Sequence, residues 1–279
     1  KSKLDINKWI YFKMIKTNSE AKKYISNFRF DEAARFAYQF VWHYYCDWYL
    51  EFLKPILNSK NKAEIKEAKL FSSFMMSNIL RLLHPFIPFF TETVWSVNKY
   101  KLIYMEDLIS SPWPNYKNLN NFNKSQTDIN TLIELISNIR SSKSELKIKP
   151  KLFCNLYFSE KNGKLKRLAN KHLKLIELTG RVNNIIEDKQ SNKNSIDILV
   201  LKEKLSLEFN EDVDLVSQKD RILKKIESIE NQTNGLNNKL QNKAYIKKAP
   251  KEIVQNDKKL VKELAIEERK LRSIVSSIK

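Results

Sequence analysis

Glycine occurs three times in 279 residues. It is the residue that lets a backbone take positive φ or come close to a phosphate. A chain so poor in it has no Gly-rich loop, which argues against a nucleotide-binding α/β domain within these residues. Lys, Leu, Ile and Glu are abundant instead and point to helices. The fold class that follows is mainly α.

Hydrophobic periodicity places the helices. Ile6, Trp9, Ile10, Met14, Ala21 and Ile25 give residues 5–26 an apolar face. Asp31 is placed to cap a second helix running to Lys54, where Pro55 ends or kinks it. Residues 62–83 repeat Ile65, Ala68, Phe71, Met75, Ile79 and Leu82 at three- and four-residue spacing. "LHPFIPFFTETVW", 83–95, breaks at Pro85 and restarts at Pro88. Four helices with short connections make a bundle over residues 1–110. Residues 111–125, within "SSPWPNYKNLNNFNKS", have turn chemistry and read as a linker, with Trp113 strapped onto the bundle.

A small α+β connector is expected over 126–210. It holds a helix at 126–146, a strand "KLFCNLYF" at 151–158 and a helix at 161–177. A hairpin of "SIDILVL" and "KLSLEF", joined at Lys202–Glu203, completes it. Residues 211–279 form two seams of alternating four- and three-residue spacing. One runs Leu215, Lys219, Ile222, Ile226, Ile229, Thr233, Leu236, Leu240, and the other Ile253, Asp257, Leu260, Leu264, Glu267, Leu271, Ile274, Ile278. Folding one on the other pairs 240 with 253, 229 with 264 and 215 with 278, and sets every polar seam residue against an apolar one. That is an antiparallel coiled-coil hairpin. The rival, a parallel dimer of the whole tail, is opposed by Pro250.

The formal net charge is +19, spread as +6 over 1–110, +8 over 111–210 and +5 over 211–279. So extended a basic field suits a long polyanion, nucleic acid first; solvated lysine faces are the alternative. Cys46 and Cys154 lie far apart without a CxxC, which fits a reducing, cytoplasmic setting and supplies no zinc site. His43, His84 and His172 form no ligand set with them, so no metal is expected. No stretch is long and apolar enough to suggest a membrane partner. The opening "KSKLDINKW" lacks Met and is amphipathic, as a piece of a longer protein would be.

One helix carries the candidate chemistry. In "HYYCDWYLEFLKP", 43–55, His43, Asp47, Leu50, Glu51 and Lys54 share a stripe, while Phe40, Tyr44, Trp48 and Phe52 lie beside it as core. A carboxylate can accept from a base amino group and an aliphatic side chain can pack on a base face. For Asp47 the competing role is a bond to neighbouring backbone. Arg140, Lys143 and Lys147 are candidate phosphate contacts, as are Lys243, Lys247, Lys248, Lys251, Lys258 and Lys259 near the hairpin tip.

Three segments in order carry a family resemblance. "FRFDEAARFAYQFVWHYYCDWYLEFLKP" followed by "LLHPFIPFFTETVW" resembles the anticodon-binding helical domain of class I aminoacyl-tRNA synthetases, in the valyl branch. "ISNIRSSKSELKIKP", 136–150, resembles that family's Ile-Arg-Asn-x-Arg-x-Glu run, with Ser141 and Lys143 departing from it. "KLQNKAYIKKAPKEIV", 239–254, resembles its signature near the coiled coil. The resemblance implies tRNA as partner, tRNA(Val) in this branch, and anticodon contacts near Leu50 and Glu51. It implies neither DNA nor membrane as partner, and a monomeric piece. HIGH and KMSKS motifs and an editing domain are absent. The family's ATP and Mg therefore belong to the parent enzyme, with no catalytic residue and no cofactor expected in these residues. An isoleucine or leucine enzyme, or a helical scaffold with a coiled-coil partner, are the alternatives.

Overall fold

The structure, a computed structural model, describes residues 2–114, 116, 122–159, 163–187, 195–209, 213–242, 245 and 251–278. Two compact units emerge, Lys1–Ile133 and Glu134–Lys279.

In the first unit α1 spans Asp5–Ser26 and buries Ile6, Trp9, Ile10, Met14 and Ala21. Its start is held by one carboxylate oxygen. Glu67 Oε1 accepts from Ser2 Oγ, from the N–H groups of Lys3 and Leu4, and from Asn7 Nδ2, at 2.6 to 3.1 Å. Helix α2 spans Phe30–Gln39. Arg29 stands at its N-cap and Asp31 lies inside the first turn, so the expected Asp31 cap is not formed. A π-helix follows, Phe40–Tyr49, and then α3, Leu50–Leu57, which continues through Pro55. Helix α4, Lys62–Leu83, is capped by the Asn61 side chain. Helix α5, Pro88–Val97, begins at its proline as expected. The short α6, Tyr100–Tyr104, was not legible in the sequence.

The π-helix alters which residues are core. Buried positions run Ala33, Ala37, Phe40, Tyr45, Tyr49, Leu53, with one five-residue step at 40–45. A segment with i→i+5 hydrogen bonds takes an extra residue per turn, which shifts every later side chain around the axis. The expected core pair Tyr44 and Trp48 is therefore only half-buried, and Tyr45 and Tyr49 take its place. The Tyr49 hydroxyl donates to Asn7 Oδ1 at 2.9 Å, which satisfies it inside the core. Burial pushes the hydroxyl pKa of Tyr45 up to about 12.

Two described residues of the expected linker bond to this bundle. The Pro114 carbonyl accepts from Asn18 Nδ2, and the Tyr116 hydroxyl donates to Asn78 Oδ1. Helix α7 then runs Asn123–Glu145.

In the second unit a four-stranded sheet has the order β2-β1-β4-β3. Strand β1 is Cys154–Phe158, β2 Val182–Glu187, β3 Ser195–Val200 and β4 Glu203–Phe209. Helices α8, Gly163–Lys171, and α9, Leu173–Gly180, cross from β1 to its parallel neighbour β2. Strand β2 was missed in the sequence because its polar residues Asn183 and Asn184 interrupt any alternation. The β3–β4 hairpin turns at Leu201–Lys202, one residue earlier than expected. Both turn residues have positive φ, as the twist of a two-residue hairpin requires. Helices α10, Leu215–Gln241, and α11, Lys251–Ser277, pack antiparallel. Lys225 of α10 pairs with Glu267 of α11, and Tyr245, beyond the end of α10, with Asp257, so later residues on the one side meet earlier ones on the other. Ile229, Leu236 and Leu264 share one core cluster with Leu260 and Leu271. Near the tip Val254 is buried and Ile253 exposed, a one-residue shift from the expected seam.

Candidate nucleic-acid interface

An exposed stripe crosses the same irregular stretch. Arg35, Tyr38, Trp42, Asp47, Leu50 and Lys54 are all exposed, at three- and four-residue steps with one step of five at 42–47. The rings of Tyr38 and Trp42 are stacked, 6° from parallel with centroids 6.1 Å apart. Sequence reading passed over this pair; its signal was two rings at i, i+4 opposite Ala33 and Ala37. Beside the stripe His43 Nδ1 lies 3.4 Å from Asp47 Oδ2. Asp47 thus partners a side chain, where bonding to neighbouring backbone had been the competing expectation. Lys54 Nζ donates to Glu51 Oε1 at 2.5 Å. Between exposed groups such pairs contribute little to stability, so they are readily exchanged for contacts to a ligand. The stripe, with Glu51 at its edge, therefore offers two flat rings, one aliphatic side chain, two carboxylates and cationic ends.

The basic candidates of the second unit divide. Lys143 is 2 % exposed. Its Nζ donates to the carbonyls of Leu152, at 2.8 Å, and Gly180, at 3.2 Å. Burial holds its pKa below the ordinary lysine value, and the nearby Arg181 and Arg140 add to the effect. The expected phosphate contact at Lys143 is thereby corrected: this ammonium is a structural pin between α7, the approach to β1 and the end of α9. Arg140 is exposed, yet its Nε donates to the Thr179 carbonyl at 2.9 Å. Lys147 is exposed and sits at φ 50° just past the end of α7.

Near the hairpin tip Lys258 and Lys259 are exposed. Lys243, Lys247 and Lys248 lie outside the described residues, and of Lys251 only the backbone, at the start of α11, is described. Among the described residues no group of three or more His, Cys, Asp or Glu could hold a metal ion. No described helix is long and apolar enough to cross a membrane.

Comparison with known proteins bears on this geometry. Residues 7–158 match the family described as the anticodon-binding domain of tRNA ligase, and residues 214–279 match the valyl tRNA synthetase tRNA binding arm. A valine–tRNA ligase of Pelagibacter ubique is 34% identical over 91% of this chain and 29% of its own length. That of Agrobacterium fabrum is 28% identical over 99% of the chain and 29% of its own, and that of Zymomonas mobilis 30% over 99% and 31%. The chain thus spans less than a third of the length of these relatives.

Proposed function

We propose that this chain, which belongs to the family of tRNA-ligase anticodon-binding domains, is the tRNA-gripping part of a valine–tRNA ligase. The observation that carries the reading is the order of the two matches along one chain, bundle first and arm last. The division of labour is a bundle over 1–110, a linker over 111–125, a connector over 126–210 and the arm over 211–279. The partner is tRNA, tRNA(Val) by the names of the relatives, and the setting is cytoplasmic.

Binding follows from the chemistry of these groups. Leu50 packs on an unstacked base, and Glu51 accepts from a base amino group once Lys54 releases it. Lys54 then turns to phosphate. The Tyr38–Trp42 pair offers a second flat surface beside them. The arm adds lysines that meet phosphate and ribose without reading sequence. In the whole ligase, ATP and Mg would serve amino-acid activation. These residues supply no Gly-rich loop to cradle a triphosphate, so the chain's own part is to hold the RNA and position its end for chemistry elsewhere.

The test is direct binding of the chain to valine tRNA beside a non-cognate tRNA at several salt concentrations. Tighter binding of the cognate, falling steeply with salt, is expected. Equal, salt-insensitive retention of both would leave a coiled-coil scaffold as the better reading.

A further inference from the structure

A cavity of about 360 Å³ opens beside the candidate stripe, between the π-helix and α7, lined by Gln39, His43, Tyr44, Trp48, Asn130 and Ile133. We propose that it seats one unpaired RNA base. The proposal deepens the tRNA-binding reading and rests on it. It names residues outside Leu50 and Glu51.

The chemistry of the walls is that of a base site. Tyr44 and Trp48 supply aromatic surface, against which any base can stack. The polar groups have fixed roles. Asn130 Oδ1 accepts from Trp9 Nε1 at 2.9 Å. An indole N–H only donates, so the oxygen of this carboxamide is the atom facing Trp9. Its NH2 group makes no hydrogen bond among the described residues and is available to a ligand. His43 Nδ1 lies 3.4 Å from Asp47 Oδ2, and a carboxylate only accepts, so Nδ1 donates there and Nε2 is the ring nitrogen left to face a ligand. The Gln39 carboxamide makes no hydrogen bond among the described residues and can both donate and accept. Donors and an acceptor placed around aromatic rings match the mixed edge of a nucleobase. An aliphatic ligand would leave these polar groups unpaired.

Charge fits the same occupant. The Lys13 ammonium lies 4.5 Å from the centroid of the Tyr44 ring. Lys13 is not itself a lining residue, but a cation beside a lining ring favours the phosphate that a stacked nucleotide brings with it.

The experiment uses the whole chain and the anticodon stem–loop of a valine tRNA, with each loop nucleotide in turn made abasic. Dissociation constants are compared for the unaltered protein and for a Gln39→Leu, Asn130→Asp variant. Asn130→Asp keeps an acceptor for Trp9 and removes the donor; Gln39→Leu keeps bulk and removes polarity. For the unaltered protein, one abasic position should weaken binding about 5- to 150-fold, the equivalent of ~1–3 kcal/mol for one stacked base. In the variant the intact loop should bind more weakly, and loss of that base should no longer matter. Matching melting curves establish that the variant folds; should it not fold, Ile133→Phe, which fills the cavity without touching its polar groups, is read the same way. If the unaltered chain binds no RNA, the tRNA reading falls and the pocket with it. If it binds, and the variant keeps the full abasic penalty or no position carries one, the pocket alone is overturned.

Discussion

The ammonium of Lys143 donates to the carbonyl oxygen of Leu152 at 2.8 Å, inside the second unit. It holds the end of α7 against the segment that enters β1, while a second bond reaches Gly180 where α9 ends. Lys143→Ala should therefore lower stability rather than RNA affinity. Two buried carbonyls lose a charged donor and a cavity is left, at a cost of about 2–4 kcal/mol. Denaturant unfolding checks the size. The salt slope of RNA binding by the folded variant should be unchanged; a flattened slope would return Lys143 to the phosphate-contacting set.

Four residues on lies a different kind of constraint. The N–H of Ile148 bonds to the Lys143 carbonyl, and that of Lys147 to the Ser144 carbonyl, with Lys147 left-handed between them. This is the helix-ending arrangement that usually places glycine at that position. Among the described residues seven non-glycine residues have positive φ and no glycine does. Lys147→Gly relieves about 1–2 kcal/mol of left-handed strain and gives back about 0.4–1 kcal/mol in unfolded-chain entropy. A net gain of about 0.5–1 kcal/mol in unfolding free energy is expected from those two terms. A loss would mean that the lysine side chain, not the turn, is what that site needs.

These two lysines mark what could and could not be read from the chain. Periodicity set α1, α4, α5 and the arm close to their bounds, because each buries one continuous face against neighbours nearby in sequence. It could not see that Lys143 points inward, since its partners Leu152 and Gly180 are carbonyls of a strand approach and a helix end that only the tertiary fold assembles. It also assumed an α period through "FVWHYYCDWY", where the backbone is a π-helix. Aromatic residues fill nearly every position there, so the apolar pattern has no phase to betray the extra residue. That one error exchanged Tyr44 and Trp48 for Tyr45 and Tyr49 in the core. It also hid the Tyr38–Trp42 pair and the cavity beside His43. Most of the exposed stripe survived because Leu50, Glu51 and Lys54 lie after the irregular stretch, with Asp47 two residues before its end.

Glu67 gives the first unit a pH dependence. Burial alone would raise its pKa, but bonds from the Leu4 N–H, Ser2, Asn7 and the Lys3 N–H outweigh burial and hold it below the ordinary carboxylate value. A carboxyl depressed in the folded state stabilises fully above the unfolded value, near pH ~4.3, and loses that contribution as pH falls through the folded value. Thermal melts taken from pH 6 down to pH 3 should therefore show a larger fall for the native chain than for Glu67→Gln. At neutral pH the substitution should cost about 1–2 kcal/mol, since four donors lose a charged acceptor that is partly open to water. Parallel pH profiles for the two proteins would show that the clamp on α1 draws nothing from the charge.

In the arm, Ile229 and Leu264 lie in one buried cluster. Ile229→Asp and Leu264→Asp should each cost several kcal/mol, about 3–5 by the scale of unpaired buried charge. The Thr233 hydroxyl, by contrast, is buried with no hydrogen-bond partner among the described residues. Thr233→Val replaces it by a methyl of like shape and should gain about 1 kcal/mol, since the desolvated hydroxyl disappears. Protease resistance of the arm should follow both changes in opposite directions. Unchanged resistance in the aspartate variants would mean that α10 and α11 do not pair within the chain.

Substitutions at the tip of the arm test whether grip and discrimination lie in different places. Helix α10 has 27 residues and at ~1.5 Å per residue reaches roughly 40 Å, a useful fraction of a tRNA arm. Lys247, Lys248 and Lys251 lie at its far end in sequence, with Lys258 and Lys259 exposed about two turns further along α11. Contacts from such lysines go to phosphate and ribose, which fix position and carry no base information. Reversing Lys247, Lys248 and Lys251 to Glu should thus weaken valine tRNA and a non-cognate tRNA by a similar factor. It should also reduce the log–log salt slope by about 0.7–0.9 for each phosphate that is no longer neutralised. On the proposed reading the preference between the two tRNAs should persist, because that reading assigns it to the bundle around Leu50 and Glu51. Glu51→Ala is the converse: the preference narrows while the salt slope stays, since no cation is removed. Should the triple reversal leave affinity and slope as they were, the tip is a solvated end of the coil and the basic field acts elsewhere.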